Sequence, residues 1–309
     1  MSTVLISGSN GFIGHHVATY FAGRGWTVLG LGRKSIAATP EYVMQYISCV
    51  LGEYDTLVKL KQMISDKNID VIVHLAADMR KEPYATDVIR ANCIGTQQLL
   101  ELAHDFGIPV MLQLSSLPVI GTPCIHPIME NHPLRPQTVY HITKCMNELQ
   151  LQYAAQHYGM RTAWLRISAP LGIGMNEHTI FPTFVKNALV GKPLCLYGNG
   201  SRQQDYIYVK DIAKALYLAA INPSVRGCYN LTGGDELLIS NKELAATCIR
   251  VLNSNSSIEY VDALDPSDNE IWDASIERAV NDFGFQPCAT LEDVILEYAN
   301  ALQKEEVNL

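Results

Sequence analysis

The sequence predicts an α/β fold built on a doubly wound parallel sheet, with a smaller α/β lobe in its C-terminal part. Two observations support this prediction. In the first half of the chain, short runs rich in β-branched residues alternate with amphipathic helical stretches, which is typical of βαβ units. The strand runs are also almost continuously apolar, as expected for strands that helices cover on both faces. After residue 168 this regular alternation ends.

Six strands are expected in the first half of the chain, at residues 3–7, 27–31, 42–49, 71–75, 110–114 and 161–167. The helices between them are expected at residues 14–23, 55–66, 87–106 and 138–158. Farther along, the pattern predicts strands at 206–209 and 257–261, helices at 211–220, 241–252 and 291–303, and a frayed end at 304–309. We interpret residues 1–168 as the larger domain, to which 205–231 returns, and residues 169–204 and 232–309 as the lobe.

Composition and charge exclude several classes of function. At 309 residues, with 48% hydrophobic and 17% charged residues, the chain is typical of a globular protein with a large core. Its net charge of −8 provides no basic surface for nucleic acid. The apolar stretch at residues 4–6 is too short for a signal peptide or a transmembrane helix. We therefore expect a cytoplasmic protein with neither a nucleic-acid nor a membrane partner.

The cysteines and histidines do not form a metal-binding pattern. Eight cysteines are spread along the chain without a CxxC pair, and several lie inside apolar runs, as Cys195 does. We expect them to be buried free thiols in a reducing compartment. Cys124 and His126 share a proline-rich loop and are most simply loop residues. No metal site is therefore predicted.

A glycine-rich turn, Gly8-Ser9-Asn10-Gly11-Phe12-Ile13-Gly14, follows the first predicted strand directly and opens the first predicted helix. In such a turn one glycine allows the tight bend, one lets the backbone approach a pyrophosphate, and one lets helix and strand pack closely. The pyrophosphate lies at the helix N-terminus, where free N–H groups favour an anion. The turn therefore predicts a dinucleotide cofactor in contact with Gly8, Asn10, Gly11, Phe12, Ile13 and Gly14.

The end of the second predicted strand indicates which dinucleotide is bound. NAD-binding units commonly have an acidic residue there, which accepts hydrogen bonds from the adenosine ribose. This sequence has Gly32, Arg33 and Lys34 instead. Glycine leaves room for a 2′-phosphate and a guanidinium binds it in a fork, so NADP(H) is favoured and NAD is the less favoured cofactor. A solvated pair of cations at a strand end is the alternative interpretation.

A tyrosine and a lysine at helical spacing form the candidate catalytic pair. Tyr140 and Lys144 lie one turn apart inside a predicted helix and therefore share a face. The ammonium is expected to lower the pKa of the phenol, so that Tyr140 exchanges a proton with a carbonyl or alcohol oxygen. Ser115 and Ser116 follow a predicted strand, at the sheet edge where ligands of open α/β sheets bind.

Together these segments resemble the extended branch of the short-chain dehydrogenase/reductase superfamily, which includes nucleotide-sugar epimerases, dehydratases and ketoreductases. The resemblance depends on the GxxGxxG spacing, the Gly-Phe-Ile-Gly sequence and a Ser-Tyr-Lys triad. It implies a Rossmann-type doubly wound parallel sheet and an NAD(P)-dependent oxidoreductase or epimerase. Aligning Ser116-Leu117-Pro118-Val119-Ile120-Gly121 with the family's S/T-x-x-V-Y-G stretch implies Ser116 as the catalytic hydroxyl. Asn92 matches the helix asparagine that supports the lysine.

The resemblance also implies further contacts. The backbone of Leu75, Ala76 and Ala77 is expected to lie along the cofactor, and Ser168 is expected near the nicotinamide together with Tyr140 and Lys144. The implied substrate-binding residues are Ser115, Ser116, Ala169, His178, Tyr197, Arg202 and Gln204. Three positions depart from the family pattern: Val50, where many relatives have Asp near the adenine; Ala169, where many have Asn; and Gln204, where the usual residue is Arg.

The residues after Ser116 narrow the reaction that the resemblance implies. The family's 4,6-dehydratases have an Asp-Glu pair there, whereas Leu117 and Pro118 cannot transfer protons, so dehydration is disfavoured. We expect an NADP(H)-dependent 4-ketoreductase acting on a nucleotide-linked keto-sugar, with Tyr140 as the proton donor. A nucleotide-sugar 4-epimerase with tightly bound NAD(P) and a non-enzymatic NADP-sensing protein are the alternatives. The helices near 92–106 and 140–157 imply a homodimer through a four-helix bundle.

Overall fold

The computed structural model describes residues 1–33, 42–80 and 85–307 of the chain. Its strands are β1 Thr3–Ser7, β2 Thr27–Gly32, β3 Gln45–Ser48, β4 Val71–His74, β5 Val110–Ser116, β6 Arg161–Ile167, β7 Ala169–Leu171, β8 Leu194–Tyr197, β9 Gln203–Tyr208, β10 Gly227–Leu231, β11 Leu238–Ser240 and β12 Ile258–Val261. Its α-helices are α1 Phe12–Ala22, α2 Thr56–Met63, α3 Thr86–Ile89, α4 Gly95–Asp105, α5 Val139–Tyr158, α6 Ile180–Leu189, α7 Val209–Ile221, α8 Asn241–Val251, α9 Glu277–Phe283 and α10 Leu291–Val307. A π-helical segment, Arg90–Ile94, joins α3 to α4, and 3₁₀ turns are formed by Leu117–Ile120 and Asp235–Leu237.

Seven strands form one parallel sheet in the order β10-β6-β5-β4-β1-β2-β3. The strand order reverses between β1 and β4, and a crevice opens at such a switch point outside the carboxyl ends of the strands. The predicted Rossmann-type α/β fold is therefore confirmed. Strands β1 and β6 have the predicted bounds, whereas β5 extends two residues beyond the prediction, to Ser116. This extension places both candidate serines inside the strand.

Helices cover both faces of the large sheet, which explains why its strands are apolar throughout. Helices α1 and α7 pack on one face, and α2, α4 and α5 pack on the other. Fully buried side chains from these helices are Val17, Phe21, Ile212 and Leu216 on the first face and Leu60, Leu99, Leu102 and Leu151 on the second. Within the described ranges, no helix combines the length and the apolar character that crossing a membrane requires.

The C-terminal part is built on two small sheets. Strands β7, β9 and β11 form one of them, and β8 pairs with β12 in the other. Helices α6, α8 and α10 surround a separate apolar cluster there. Strand β10 and helix α7 return to the large sheet, whereas residues 205–208 of the predicted return segment belong to β9 in a small sheet. The division into a domain and a lobe remains our interpretation of these packing clusters.

Several local predictions differ from the structure. The predicted helix 87–106 is interrupted by the π-helical segment, and the predicted strand 206–209 begins earlier, at Gln203. Helix α10 continues to Val307, and residues 308 and 309 of the predicted frayed end lie outside the described residues. All eight cysteines are free thiols, but Cys195 is exposed, because β8 alternates between buried and exposed positions. The prediction that Cys195 is buried is therefore wrong, and Cys124 and Cys288 are also exposed.

Candidate active site

The glycine-rich turn connects β1 to α1 at the carboxyl edge of the large sheet. Gly8 adopts a φ of +74°, and a Cβ on it would lie 2.9 Å from the backbone nitrogen of Ala76. A Cβ on Gly14 would lie 2.0 Å from the Gly8 carbonyl oxygen, so neither position accommodates a side chain. Gly11 is the N-cap of α1 and provides no side-chain cap, so the N–H groups of the first turn remain for an anion. The other predicted contact residues of the turn are half-buried: Asn10, Phe12 and Ile13.

The end of β4 lies directly beside this turn. Ser7 Oγ accepts hydrogen bonds from the backbone N–H groups of Leu75 (3.1 Å) and Ala76 (3.2 Å), which fixes residues 75–77 along the crevice. Behind them, the His74 imidazole bonds Ser7 Oγ at 2.6 Å and Thr96 Oγ1 at 3.0 Å. Burial lowers the pKa of His74 to about 3, so this side chain is neutral. A series of buried hydrogen bonds through Thr96, His74 and Ser7 therefore holds the backbone that we predict to face the cofactor.

Gly32 and Arg33 lie at the end of β2, as predicted, whereas Lys34 lies outside the described residues. A Cβ on Gly32 would lie 2.8 Å from Tyr46 Oη, so a carboxylate side chain does not fit there unless Tyr46 moves. Arg33 is exposed, and its charge acts on Asp78, which follows residues 75–77. The pKa of the Asp78 carboxyl is lowered mainly by its hydrogen bonds with Arg80, and Arg33 adds a weaker effect. Arg33 is therefore close to the crevice.

The three residues of the candidate catalytic triad come from β5 and α5. Ser116 ends β5, and Tyr140 lies in the first turn of α5. Lys144 lies one turn farther along, with its Nζ 5.7 Å from the centre of the Tyr140 ring. The same Nζ donates to the carbonyl oxygen of Leu114 at 2.8 Å, two residues before Ser116. The helix face with Tyr140 and Lys144 is therefore tied to the strand end with Ser116.

The protonation states of this pair differ from the prediction. Burial raises the pKa of Tyr140 to about 12, so the predicted lowering of that pKa is wrong. Burial lowers the pKa of Lys144 to about 8, and the charge of Glu148 opposes this effect. Desolvation of the phenol is the cause of the raised pKa of Tyr140, and the hydrogen bond of the Lys144 ammonium goes to the Leu114 carbonyl. At neutral pH, Tyr140 is a phenol and Lys144 is largely an ammonium.

Asn92 is buried in the π-helical segment and supports the lysine turn indirectly. Its Oδ1 accepts from the backbone N–H of Asp78 at 2.7 Å, and its Nδ2 donates to the Asp78 carbonyl at 2.9 Å. Nδ2 also donates to Thr143 Oγ1 at 2.9 Å, and Thr143 directly precedes Lys144. Asn92 therefore joins the segment after β4 to α5 through side-chain hydrogen bonds.

Ser115, which is predicted to bind substrate, has its hydroxyl bonded to α5. The Ser115 side chain is buried, and its Oγ donates to Glu148 Oε1 at 2.5 Å. Glu148 also forms a buried ion pair with Arg166, with Nη2–Oε2 and Nε–Oε1 distances of 2.7 and 3.0 Å. Glu148 is not among the predicted site residues, although its position one turn after Lys144 on the same helix face is a visible signal in the sequence.

The predicted substrate residues are less closely grouped. Arg202 Nη2 donates to Gln204 Oε1 at 3.3 Å, so these two side chains are neighbours. Tyr197 is exposed at the end of β8, and His178 is exposed in the loop before α6, with its backbone N–H bonded to Asn176. Neither shows a contact with the catalytic triad in the part of the chain that the structure describes.

Two residues after β6 border the crevice. Ala169, at the start of β7, is half-buried, and the buried hydroxyl of Ser168 has no hydrogen-bond partner among the described residues. A buried hydroxyl without a protein partner at a ligand-binding sheet edge fits a contact with a bound molecule. Across residues 1–33, 42–80 and 85–307, no three His, Cys, Asp or Glu side chains form a metal-ligand set.

Comparisons with known proteins identify relatives over nearly the whole chain. The chain is 25% identical to the dTDP-4-dehydro-6-deoxyglucose reductase of Escherichia coli, over 94% of this chain and 95% of that protein. It is 27% identical to the UDP-glucuronate 4-epimerase of Thermodesulfobacterium geofontis, over 100% of this chain and 98% of that protein. Among solved structures, the dTDP-glucose 4,6-dehydratase of Bacillus anthracis in complex with NAD matches with a TM-score of 0.85. That match, at 24% identity over 99% of this chain and 98% of the other, shows the fold alone.

A family model, described as the NAD dependent epimerase/dehydratase family, matches residues 4–231. The match includes the glycine-rich turn, the end of β4 and the complete triad of Ser116, Tyr140 and Lys144. The chain belongs to the NAD dependent epimerase/dehydratase family and is an enzyme of the short-chain dehydrogenase type, an NAD(P)-dependent oxidoreductase or epimerase.

Proposed function

We propose that this enzyme is an NADP(H)-dependent 4-ketoreductase that acts on a nucleotide-linked keto-sugar. The observation that supports this proposal most is the protonation state of Tyr140. Its pKa of about 12 keeps the phenol protonated at neutral pH. Reduction of a ketone needs a proton donor, whereas oxidation of an alcohol, the first half of an epimerase reaction, needs a base. A protonated tyrosine on the same helix face as Lys144 is therefore suited to the reductive direction.

The residues present fit a nicotinamide dinucleotide. The turn at residues 8–14 leaves backbone N–H groups for a pyrophosphate, and residues 75–77 line the crevice beside it. The orphaned Ser168 hydroxyl and the Lys144 ammonium lie farther along the same sheet edge, where we place the nicotinamide end. When bound, the cofactor supplies or accepts the hydride, and the remaining chemistry falls to side chains of this chain.

Preference for NADP(H) over NAD is part of the proposal. Gly32 stands where NAD-binding relatives need a carboxylate, and Tyr46 Oη occupies the space into which such a side chain would extend. Arg33 is exposed beside the crevice, and its guanidinium would form a fork with a 2′-phosphate. Lys34, the second predicted cation, lies outside the described residues.

The proton transfer that we propose uses three side chains. Ser116 donates a hydrogen bond to the ketone oxygen, and Tyr140 gives its proton to that oxygen as the alcohol forms. The Lys144 ammonium stabilises the tyrosinate that remains, and its hydrogen bond to the Leu114 carbonyl holds it in reach. Solvent then returns the proton to Tyr140. Neither Leu117 nor Pro118 can serve as an acid or base for eliminating water.

The substrate class follows from the named relatives and from two side chains. The Escherichia coli reductase and the Thermodesulfobacterium epimerase have a dTDP-sugar and a UDP-sugar in their names. We propose that Arg202, held by Gln204 at 3.3 Å, binds the diphosphate of such a substrate. Tyr197, Ala169 and His178 are our candidates for contacts with the nucleotide and the sugar.

The alternatives are distinguished by one assay. The protein is mixed with NADPH and a panel of nucleotide-linked 4-keto-sugars and sugars, with NADH in parallel, while nicotinamide absorbance and product isomers are followed. A ketoreductase consumes NADPH in proportion to the alcohol formed. An epimerase, which the relatives' names also favour, converts the sugar without net consumption. Tight NADPH binding with neither outcome identifies a sensor.

We also propose that the enzyme is a homodimer through α4 and α5. An exposed apolar stripe follows α5 at spacings of four, three and four residues: Ile142, Met146, Leu149 and Tyr153. Leu149 is 64% exposed, and Met146, Leu149 and Tyr153 line, together with α4, a shallow groove that a second copy of the same two helices would fill. Sedimentation should give a dimer for the unchanged chain and a monomer for Leu149→Glu. A monomeric unchanged chain would contradict the proposal.

A further inference from the structure

Glu148 is a buried carboxylate on the active face of α5. Tyr140, Lys144 and Glu148 are spaced four residues apart, so each lies one turn beyond the previous one on the same face. Glu148 is 5% exposed. A carboxylate at this depth is unfavourable unless it is paired and hydrogen-bonded. Its partners therefore indicate what it is positioned to do.

The partners of Glu148 come from one rung of the large sheet. Ser115 on β5 and Arg166 on β6 are directly paired in the strand register. Ser115 Oγ donates to Glu148 Oε1 at 2.5 Å, and Arg166 binds both carboxylate oxygens in a fork. Arg166 Nη1 also donates to the Glu130 carbonyl at 2.9 Å, so the guanidinium itself is fixed. One side chain of α5 thus reaches two adjacent strands at once.

The paired residues Ser115 and Arg166 lie next to two groups of the proposed reaction, the Lys144 ammonium and the Ser116 hydroxyl. Ser115 lies between Leu114, whose carbonyl accepts from Lys144 Nζ at 2.8 Å, and Ser116. Two hydrogen bonds, one helical turn apart, therefore join α5 to consecutive residues at the end of β5. One comes from Lys144 and the other goes to Glu148. Any shift of α5 along β5 must break both of them.

We propose that Glu148 is a positioning residue: with Ser115 and Arg166 it sets the placement of Tyr140 and Lys144 relative to Ser116 and balances the charge behind the Lys144 ammonium. This inference rests on the proposed function, because positioning matters only where the triad transfers a proton. It goes beyond that function by assigning a role to a buried pair that contacts neither cofactor nor substrate in the proposed mechanism.

The charges that face Lys144 support the second half of the proposal. Glu148 raises the pKa of Lys144 against the larger lowering by burial, and Cys93 on the π-helical segment acts weakly in the same sense. From β4, His74 faces the ammonium as a neutral imidazole. Tyr140, on the same helix, is a neutral phenol. The charge on Glu148 therefore helps to keep Lys144 protonated at neutral pH.

The charges around the ion pair itself are balanced. Arg166 neutralises Glu148 directly, and the thiols of Cys145 and Cys228 face the pair with pKa values that burial raises to about 11 and about 12. Glu130 also acts on Cys228 and accepts the backbone N–H of Asn230 at Oε1. Removing one member of the pair leaves the other charge beside the active face, with opposite sign in the two cases.

The opposite charges that the two variants leave behind provide the test. The rate of reduction is expected to decline at high pH, and we call this decline the alkaline limb of the pH profile. Glu148→Gln leaves the Arg166 cation, so the alkaline limb should shift to lower pH by about half to one unit. Arg166→Gln leaves the Glu148 anion and should shift the limb to higher pH by a similar amount. The double variant should return close to the unchanged profile. Shifts of the same sign, or no shift in either variant, would overturn the proposal.

Positioning is tested separately from charge by Ser115→Ala. This variant keeps both charges, so the limb should stay in place while kcat falls on the order of tenfold from the loosened helix. An unchanged kcat would contradict the positioning role, and this variant together with the double variant decides the matter if a single variant does not fold. Arg161→Gln is the matched control. Arg161 is a buried arginine on β6 bonded to the Ala219 and Ala220 carbonyls, so stability should fall without a shift of the limb.

A readout without turnover separates this inference from the proposed function. Protein labelled with ¹³C at lysine Cε is titrated by NMR, and the Lys144 signal is assigned by its loss in Lys144→Arg. The pKa of Lys144 should fall in Glu148→Gln and rise in Arg166→Gln. These shifts in a protein that reduces no keto-sugar would support the charge role and reject the ketoreductase assignment. If the unchanged chain reduces a keto-sugar but the pKa of Lys144 does not shift in either variant, the ketoreductase assignment is supported and the charge role of Glu148 is rejected.

Discussion

The catalytic face of α5 and the strand end at Arg202 are built in opposite ways. On α5, Lys144 and Glu148 are buried and form short hydrogen bonds with the end of β5. At the start of β9, Arg202 and Gln204 are half-buried and share one hydrogen bond of 3.3 Å. A fully bonded buried network holds one geometry, whereas partly exposed side chains keep rotamer freedom. Under the proposed function, the fold therefore fixes the residues of the proton transfer, while substrate choice depends on adaptable side chains.

The largest expected effect tests the fixed region. Tyr140→Phe removes the proton donor, so kcat for NADPH-dependent reduction should fall by roughly 10²- to 10⁴-fold. NADPH affinity, measured by fluorescence titration, should change little, because the nucleotide-binding turn is untouched. Tyr54→Phe, at a fully exposed tyrosine outside the candidate site, is the matched control and should keep full activity. Full activity in Tyr140→Phe would remove Tyr140 from the mechanism.

A smaller effect is expected at the border of the cofactor crevice. Arg33→Asp replaces a cation by an anion beside the proposed 2′-phosphate, so the Kd for NADPH should rise by about tenfold to a hundredfold. The Kd for NADH should rise much less, since NADH lacks that phosphate. Arg24→Asp, at the far end of α1 where Arg24 stacks on Tyr20, is the control. Equal affinity for NADPH in Arg33→Asp and in the unchanged chain would refute the cofactor assignment.

In the adaptable region, Arg202 and Gln204 at the start of β9, we expect a substitution to change substrate binding and not the rate of the chemical step. Arg202→Gln removes the proposed diphosphate contact, so KM for the nucleotide-sugar should rise by about tenfold while kcat stays within about twofold. Lys192→Gln, an exposed lysine of the same lobe, should leave both constants unchanged. If kcat instead falls with KM unchanged, Arg202 acts on the reacting groups and the comparison between the two regions fails.

The smallest effect concerns stability in the small sheet. Burial raises the pKa of Asp205 to about 8, above its usual value near 4. The folded state therefore holds the proton more tightly, and its stabilising contribution is complete at low pH and is lost as pH rises towards 8. The free energy of unfolding is measured by urea titration at about pH 5 and pH 8. Between these two pH values, it should fall by at least about 1 kcal/mol less in Asp205→Asn than in the unchanged chain. Equal losses would show that Asp205 ionises without cost in the fold.

The features that the sequence predicted well are local in the chain. The turn at residues 8–14 and the pair Tyr140/Lys144 depend on short spacings, and the apolar strands depend on local composition. The mistakes arise where distant segments meet. Ser115 was assigned to the substrate because the local sequence does not reveal its hydrogen-bond partner. That partner, Glu148, lies 33 residues away on a different element. The pKa of Tyr140 depends on burial by the whole fold, which helical spacing does not report.

The substrate residues show the same limit more strongly. Arg202 and Gln204 are neighbours because β9 pairs with β7 and β11, which come from before and after it in the chain. Whether Tyr197 and His178 approach the sugar depends on loop positions that no short pattern specifies. Conversely, the spacing of four residues between Tyr140 and Lys144 continues to Glu148. Extending this spacing by one helical turn predicts Glu148 on the same face of the helix.

The central claim is that Tyr140 acts as a protonated donor in NADPH-dependent ketone reduction. The pH profile of kcat/KM with NADPH and a nucleotide-linked 4-keto-sugar tests it most directly. Because the Lys144 pKa is about 8 and the Tyr140 pKa is about 12, activity should be level at neutral pH and decline only above about pH 8. Activity that rises through pH 8, or sugar conversion without consumption of NADPH, would show that Tyr140 works as a base and would contradict the claim.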